Sequence, residues 1–221
     1  MTVGAFDYVV SLRLAGRRAV VVGDGPVAAQ RAEDLRSSGA DVTVVAADAH
    51  VDLVAAADAD PGIRLVRRAY AAGDLDGAAL AIATREGELD IDAFWAESRE
   101  RGVLASVLDD LDHADFAAPA LVRRGDLRIA LSTAGRAPAL AKRLREHLDD
   151  VIGPEYDRLV HAVDEARSRL GPRDVPFDEW SQRWSAALAD LDGLLSHVGA
   201  GDIDAAVDHI VSTVRPSREP S

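Results

Sequence analysis

Apolar positions fall into short unbroken runs joined by stretches with helical spacing. Ala19 to Val22, Asp41 to Val45, Ile63 to Val66, Leu80 to Ala83 and Val103 to Leu108 are runs of strand length between turn residues, the pattern of strands buried on both faces. Between them, Pro26 to about Ser38 places Val27, Ala28, Arg31, Ala32 and Leu35 at helical intervals and meets Gly39. His50 to Asp60 is alanine-rich and stops at Pro61-Gly62, and Leu89 to Arg101 turns Ile91, Phe94 and Trp95 inward before Gly102. This alternation predicts an α/β fold, a Rossmann-like doubly wound parallel sheet with its ligand at the carboxyl edge. Phe6, Tyr8, Val9, Val10, Leu12 and Leu14 alternate late enough to predict a short lead-in strand against the sheet edge.

Beyond Asp109 the pattern changes. Phe116 to Pro119 reads as a connector, and Ala120 to Arg123 and Leu127 to Leu131 as strands about Arg124-Gly125-Asp126. A helix from about Pro138 carries Leu140, Leu144 and Leu148 on one face, and after Pro154 the pattern is all-helical. Tyr156, Leu159, Val160, Val163 and Leu170 form one apolar face there; Phe177, Trp180, Trp184, Leu188, Leu191, Leu195 and Val198 form a second seam that must be core or a subunit interface. The expected division is a Rossmann-like domain over 1–112, a small α+β dimerisation segment over 113–152 and a helical domain over 153–214, with a frayed tail over 215–221. The unpaired seam makes a homodimer the expected state.

The 221 residues, 48% hydrophobic, suffice for one ordinary domain and a smaller one. Absence of cysteine excludes disulfides, thiolate metal sites and cysteine nucleophiles. With neither an apolar run of membrane-spanning length nor a basic-then-apolar leader, a soluble cytoplasmic protein is expected. A net charge of −13 argues against general affinity for nucleic acid or an anionic membrane. One segment departs from it: Arg123, Arg124, Arg128, Arg136, Lys142, Arg143 and Arg145 face only Asp126, a local charge of +6 between residues 120 and 145. It is either a solvated helix and hairpin or the rim of a site for a ligand with several carboxylates or phosphates.

Gly23-Asp24-Gly25 joins the first strand to a helix opening at Pro26, with Ala28 at the third small position of a dinucleotide fingerprint. Gly23 permits the tight turn, Gly25 lets a pyrophosphate approach the backbone, and the helix N–H groups face it. A plain strand-turn-helix corner is the alternative. Asp48, just past the second strand, either holds a ribose hydroxyl or caps the following helix, and the absence of arginine in that turn favours NAD over NADP. Thr84 and Asp109 lie just past strand ends on the carboxyl edge. Asp109, Asp110, Asp112, His113 and Asp115 either ligate a divalent metal or form a solvated loop with one working carboxylate. The remaining histidines stand in no motif, and no signature of a hydrolase or a nucleoside triphosphatase is present.

The ordered set Leu14-x-Gly16-Arg17, Val22-Gly-Asp-Gly-Pro-Val-Ala28, Gly39-Ala-Asp-Val-Thr-Val-Val45, Ile82-Ala-Thr84, Val107-Leu-Asp109-Asp110, Asp115-Phe116, Pro119-Ala120 and Ile129-Ala-Leu-Ser-Thr-Ala-Gly135-x-x-Pro138-Ala139 resembles the precorrin-2 dehydrogenase family. That family includes the N-terminal module of siroheme synthase, and some members are also sirohydrochlorin ferrochelatases. The resemblance covers about residues 9 to 150. It implies NAD-dependent oxidation of precorrin-2 to sirohydrochlorin, with Fe²⁺ or Co²⁺ as a substrate metal where chelation follows. It also implies cofactor contacts at Gly23, Gly25, Pro26, Val27, Ala47 and Asp48, and Asp109 as the general base. Precorrin-2 carries eight carboxylates, which gives the basic segment, with Arg124, Arg128, Ser132, Thr133 and Arg136, a ligand. This chain has Arg85, Asp90 and Ser106 where the family commonly has Asp or Asn, Asn and Asn, and Asp24 where a third glycine is common. Two further readings are a non-catalytic sensor or carrier of NAD or tetrapyrrole, and a metallochelatase without redox function.

Overall fold

A computed structural model describes Phe6 and residues 8–215 and divides the chain into two compact units, 1–118 and 119–221. The first unit is a five-stranded parallel sheet. Its strands β1 (Arg18–Val22), β2 (Asp41–Ala46), β3 (Ile63–Arg67), β4 (Leu80–Ala83) and β5 (Leu104–Val107) lie in the order β3-β2-β1-β4-β5. Helices α1 (Pro26–Ser37), α2 (Val51–Ala59) and α3 (Ile91–Arg101) fall between strands. Successive strand residues point to opposite faces, and both faces are buried. Ala19, Val21, Val42 and Val44 pack with Ala28, Ala32 and Leu35 of α1 and Leu53 of α2. Val20, Val22, Ala81 and Ala105 pack with Phe94 of α3, whose ring meets Tyr70 edge-on at 5.6 Å. Two-sided burial explains why these strands read as continuous apolar runs.

Over the described residues from Tyr8 to Gly16 no lead-in strand forms. Tyr8, Val9, Val10 and Leu12 are exposed with no strand pairing, while Leu14 is buried in the core. The chain enters the sheet at β1, whose two ladder sides are already taken by β2 and β4, so the preceding residues have no neighbouring edge to join.

The first unit extends past residue 112 because residues 113–115 fold back on β5. Val107 N–H donates to the His113 carbonyl (2.9 Å), Asp115 N–H to the Ala105 carbonyl (2.8 Å), and Ser106 bridges Ala114. Asp115 also pairs with Arg99 at the end of α3.

The second unit opens with the antiparallel hairpin β6 (Ala120–Arg124) and β7 (Leu127–Leu131). Gly125, at φ +50°, occupies its two-residue turn. Then come α4 (Pro138–Val151), α5 (Glu155–Leu170), α6 (Phe177–Ala187), α7 (Leu191–Gly199) and α8 (Ile203–Val214). Leu159, Leu170, Leu194, Val198, Val207 and Ile210 are among the core of the last four helices. The expected seam from Phe177 to Val198 runs over two helices: Asp190 caps α7 by accepting the Gly193 N–H at 3.0 Å, and both helices pack into the same core. Trp180, Trp184, Leu188 and Leu195 pack on the core, whereas Phe177 and Leu191 are exposed. Leu140 and Leu144 of α4 are exposed as well. Of the expected tail, residues 216–221 lie outside the described residues; Arg215 pairs with Asp174. Among the described residues no helix is long and apolar enough to cross a membrane.

Candidate functional site

The site of the first unit lies where the sheet's order reverses. Gly23 N–H continues the β1–β2 ladder onto the Val45 carbonyl (3.1 Å), and Thr84 N–H continues β4 onto the Val22 carbonyl (2.8 Å). The glycine turn therefore leaves the central strand between β2 and β4, where the strand order reverses, the usual crevice for ligands in open α/β sheets. Gly23 is at φ +151°, and a Cβ there would run into Thr84 Oγ1. Pro26 opens α1 behind Gly25, Ala28 is fully buried beneath the turn, and Val27 is 41% exposed. The first turn of α1 holds no acidic residue and its N-cap, Gly25, has no side chain to accept the first N–H groups, so this helix end favours an anion from elsewhere.

Ala47 and Asp48 are exposed at the end of β2. Asp48 does not cap α2. That place belongs to His50, whose ring accepts the Asp52 N–H at 3.3 Å. The capping alternative is thus excluded, and the exposed Asp48 carboxylate stays available to a hydroxyl. The carboxylate of Asp24 turns to the same strand end, accepting the Asp48 N–H at 3.3 Å.

Asp109 lies one strand beyond Thr84. Leu108 N–H extends β5 onto the Ala83 carbonyl (2.9 Å), and Asp110 N–H closes a tight turn on the Val107 carbonyl (3.2 Å). Asp109 occupies the third position of that turn at φ +60°, a left-handed conformation uncommon outside glycine, and it is exposed. Its neighbours are held elsewhere. Asp110 pairs with His113 at 3.0 Å, and this hydrogen bond is the main reason its carboxyl lies below the usual carboxylate range. Asp115 is taken by Arg99, whose guanidinium also stacks 4.2 Å from the Trp95 ring centre. Among the described residues, a set of groups close enough to share a metal ion occurs at Asp126, Asp157 and His161, not in the run 109–115. There Asp157 already accepts the Asp126 N–H at 2.8 Å.

Sequence reasoning passes over Glu86. A Cβ on Gly25 would run into its carboxyl group, so this side chain stands over the glycine turn. No periodicity or motif signals a contact between residues so distant in the chain. Asp90 caps α3 by accepting the Ala93 N–H at 3.0 Å, Ser106 is buried and Arg85 is exposed.

In the second unit the basic segment separates into two kinds of residue. Arg124 ties the hairpin to the end of α4: its guanidinium donates to the Ile152 carbonyl (2.5 Å) and the Asp149 carbonyl (2.7 Å) and pairs with the Asp149 carboxylate at 3.2 Å. Arg145 pairs with Asp149 as well. Arg128 is exposed beside the hairpin turn, donating to the Gly125 carbonyl. Ser132, Thr133 and Arg136 belong to the loop before α4. Ser132 Oγ accepts the Ala134 N–H (3.1 Å) and Thr133 Oγ1 the Ala137 N–H (3.1 Å). Ala134 and Gly135, at φ +51° and +76°, bend that loop so that it leads into the open N-terminus of α4.

Residues 10–120 match the family model described as "Putative NAD(P)-binding", and residues 124–150 match that of the "Sirohaem biosynthesis protein central" segment. The siroheme synthase of Chromobacterium violaceum is 30% identical over 181 residues, 82% of this chain and 38% of that protein. That of Thioalkalivibrio sulfidiphilus is 33% identical over 183 residues, 82% of this chain and 37% of its own length. The chain therefore spans less than two fifths of these relatives. A solved structure, SirC, precorrin-2 dehydrogenase, superposes with a TM-score of 0.68 at 22% identity, covering 92% of this chain and 98% of that one, which shows a shared fold. The matched family supplies a nicotinamide cofactor without separating NAD from NADP. With the "Putative NAD(P)-binding" model matched over half its length, the "Sirohaem biosynthesis protein central" model matched after it and siroheme synthases among its curated relatives, the chain belongs to this family of NAD(P)-binding sirohaem-biosynthesis proteins.

Proposed function

We propose that this protein oxidises precorrin-2 to sirohydrochlorin, with NAD as the acceptor. The observation that carries the reading is the glycine turn at the reversal point of the sheet, with Asp109 on the same carboxyl edge. The turn fits a dinucleotide: the α1 N-terminus carries no acid in its first turn, and the small residues Gly23 and Ala28 are packed beneath it. Gly23, Gly25, Pro26 and Val27 would hold the pyrophosphate, Ala47 and Asp48 the adenosine ribose, and Thr84 would border the nicotinamide half. NAD is favoured over NADP because Asp24 and Asp48 crowd the end of β2 with carboxylates, which repel a 2′-phosphate.

When bound, NAD supplies a two-electron acceptor that takes a hydride from the substrate. The oxidation also releases one proton, which Asp109 accepts as general base. Its turn holds the carboxylate at an exposed apex rather than in the ion pairs that occupy Asp110 and Asp115. The substrate's carboxylates fall to Arg128 and Arg136 together with Ser132, Thr133 and the α4 N-terminus, while Arg124 positions the hairpin. Asp109 also serves chelation if the product is metallated here, with Fe²⁺ or Co²⁺ as the metal substrate. The exposed α4 residues Leu140 and Leu144 are the proposed homodimer contact.

Anaerobic incubation of the purified chain with precorrin-2 and either NAD or NADP tests this. Sirohydrochlorin and NADH should form in equal amounts, with NAD the better acceptor. Binding of NAD without turnover would favour a sensor or carrier. Metal insertion into sirohydrochlorin without NAD binding would favour a chelatase alone.

A further inference from the structure

We propose that the segment Thr84 to Gly87 is a strap across the phosphate path, and that the dinucleotide binds only by displacing the Glu86 carboxylate. The proposal rests on the dinucleotide reading of the glycine turn and names the residue that regulates it. Gly25 is the position whose missing side chain leaves room for a phosphate, and that room holds the carboxyl group of Glu86, against which a Cβ would collide at all three atoms. The backbone is tied down too: Asp24 N–H donates to the Glu86 carbonyl at 3.3 Å. Thr84 Oγ1 lies 3.4 Å from Glu86 Oε2, and Gly87, at a φ of +92° that favours glycine, rests against the Asp24 carboxylate.

The electrostatics run the same way. With no acid in its own first turn, the positive end of α1 faces Glu86 as its anion. A pyrophosphate seeks the same helix end, so the two anions exclude one another by charge and by volume. Cofactor affinity is then the intrinsic affinity reduced by the fraction of molecules whose strap is open. Glu86 thus sets the free concentration of NAD at which the enzyme loads.

Calorimetric titration of NAD into wild type, Glu86→Gln and Glu86→Ala tests the proposal, with inorganic pyrophosphate as a second probe that lacks the nucleoside contacts and is titrated in Arg128→Glu as well, to set aside binding at the basic segment. Removing the carboxylate should lower the Kd for NAD by about 3- to 10-fold in Glu86→Ala and by less in Glu86→Gln, where bulk remains. The gain for pyrophosphate should be at least as large, and added salt should narrow the gap between wild type and Glu86→Gln. Wild type and Glu86→Ala binding NAD equally well would overturn the strap and leave the dinucleotide reading standing. Failure of all three proteins to bind NAD would remove both.

Discussion

Asp109 combines a demanding backbone with the proposed role of general base. An L-residue at φ +60° is held at a cost that glycine avoids, and such strain persists where function requires the side chain. Asp109→Gly should therefore raise unfolding stability by about 0.5–1 kcal/mol and abolish turnover of precorrin-2. Asp109→Ala should lose turnover as well, with NAD affinity within about twofold of wild type, since the turn at Gly23-Asp24-Gly25 is built without it. Urea unfolding and calorimetry on the two variants check both statements; retained turnover in either would remove Asp109 from the reaction. The residue was legible in the sequence from its place after a buried run, but its strain was not, because Val107-Leu-Asp-Asp110 does not announce a left-handed turn. Glu86 was invisible for a different reason: its contact with Gly25 is made by tertiary folding alone.

Among the elements, the loop between β3 and β4 carries a buried network that helps to seat α3. Glu97 of α3 is buried, accepts the Gly73 N–H at 2.9 Å and the Tyr70 hydroxyl, and pairs with Arg101 at 2.7 Å. Burial first, and then the bond to Glu97, raise the Tyr70 phenol above its ordinary range. Asp74, equally enclosed, accepts the Ala71 N–H at 2.9 Å and two bonds from Arg68. The Arg68 bond is the main reason its carboxyl is lowered from 3.8. A lowered carboxyl contributes stability that is present above its unfolded value and is lost as pH falls through the folded one. Asp74→Asn should then lose about 1–3 kcal/mol at neutral pH, and the difference from wild type should shrink below about pH 4. A gap that is constant from neutral to acid pH would show that Asp74 is not held as an anion.

Strands such as β4 and β7 were legible to the residue, because a buried run between turn residues has few other readings. The Tyr8 to Leu14 alternation misled, since a period of two carries no information on whether an edge is free. The seam of α6 and α7 did mark the core, through Trp180, Trp184, Leu188, Leu195 and Val198, although spacing alone does not show that Asp190 starts a new helix. On α4 the spacing of Leu140 and Leu144 marked a real face, left exposed by this chain. Leu144→Glu should leave helix content unchanged and convert a two-chain species to one-chain in sedimentation; an unchanged mass would place any dimer contact elsewhere.

For the whole molecule, the change from alternating α/β to hairpin and helices was legible, but the sequence suggested three segments where the chain forms two compact units, with the hairpin and α4 in the second. Its first boundary was not, because the acidic run 109–115 looks like a linker and instead returns onto β5 through an antiparallel bridge on the edge of the sheet. Net charge was informative in the same partial way. A value of −13 speaks against nucleic acid, and the local basic segment speaks for an acidic ligand, but only coordinates separate Arg124, bound up with α4, from the exposed Arg128. Arg128→Glu should accordingly raise KM for the tetrapyrrole by about 10- to 100-fold and leave KM for NAD unchanged, since one charge-assisted pair contributes about 1.5–3 kcal/mol and the proposed cofactor site uses other residues.

The measurement that bears most directly on the account is a crystal structure with NAD and sirohydrochlorin both bound. It should place the pyrophosphate over Gly25 with Glu86 swung aside, and the macrocycle within hydrogen-bonding reach of the Asp109 carboxylate. A cofactor bound away from the glycine turn, or a macrocycle remote from Asp109, would contradict it.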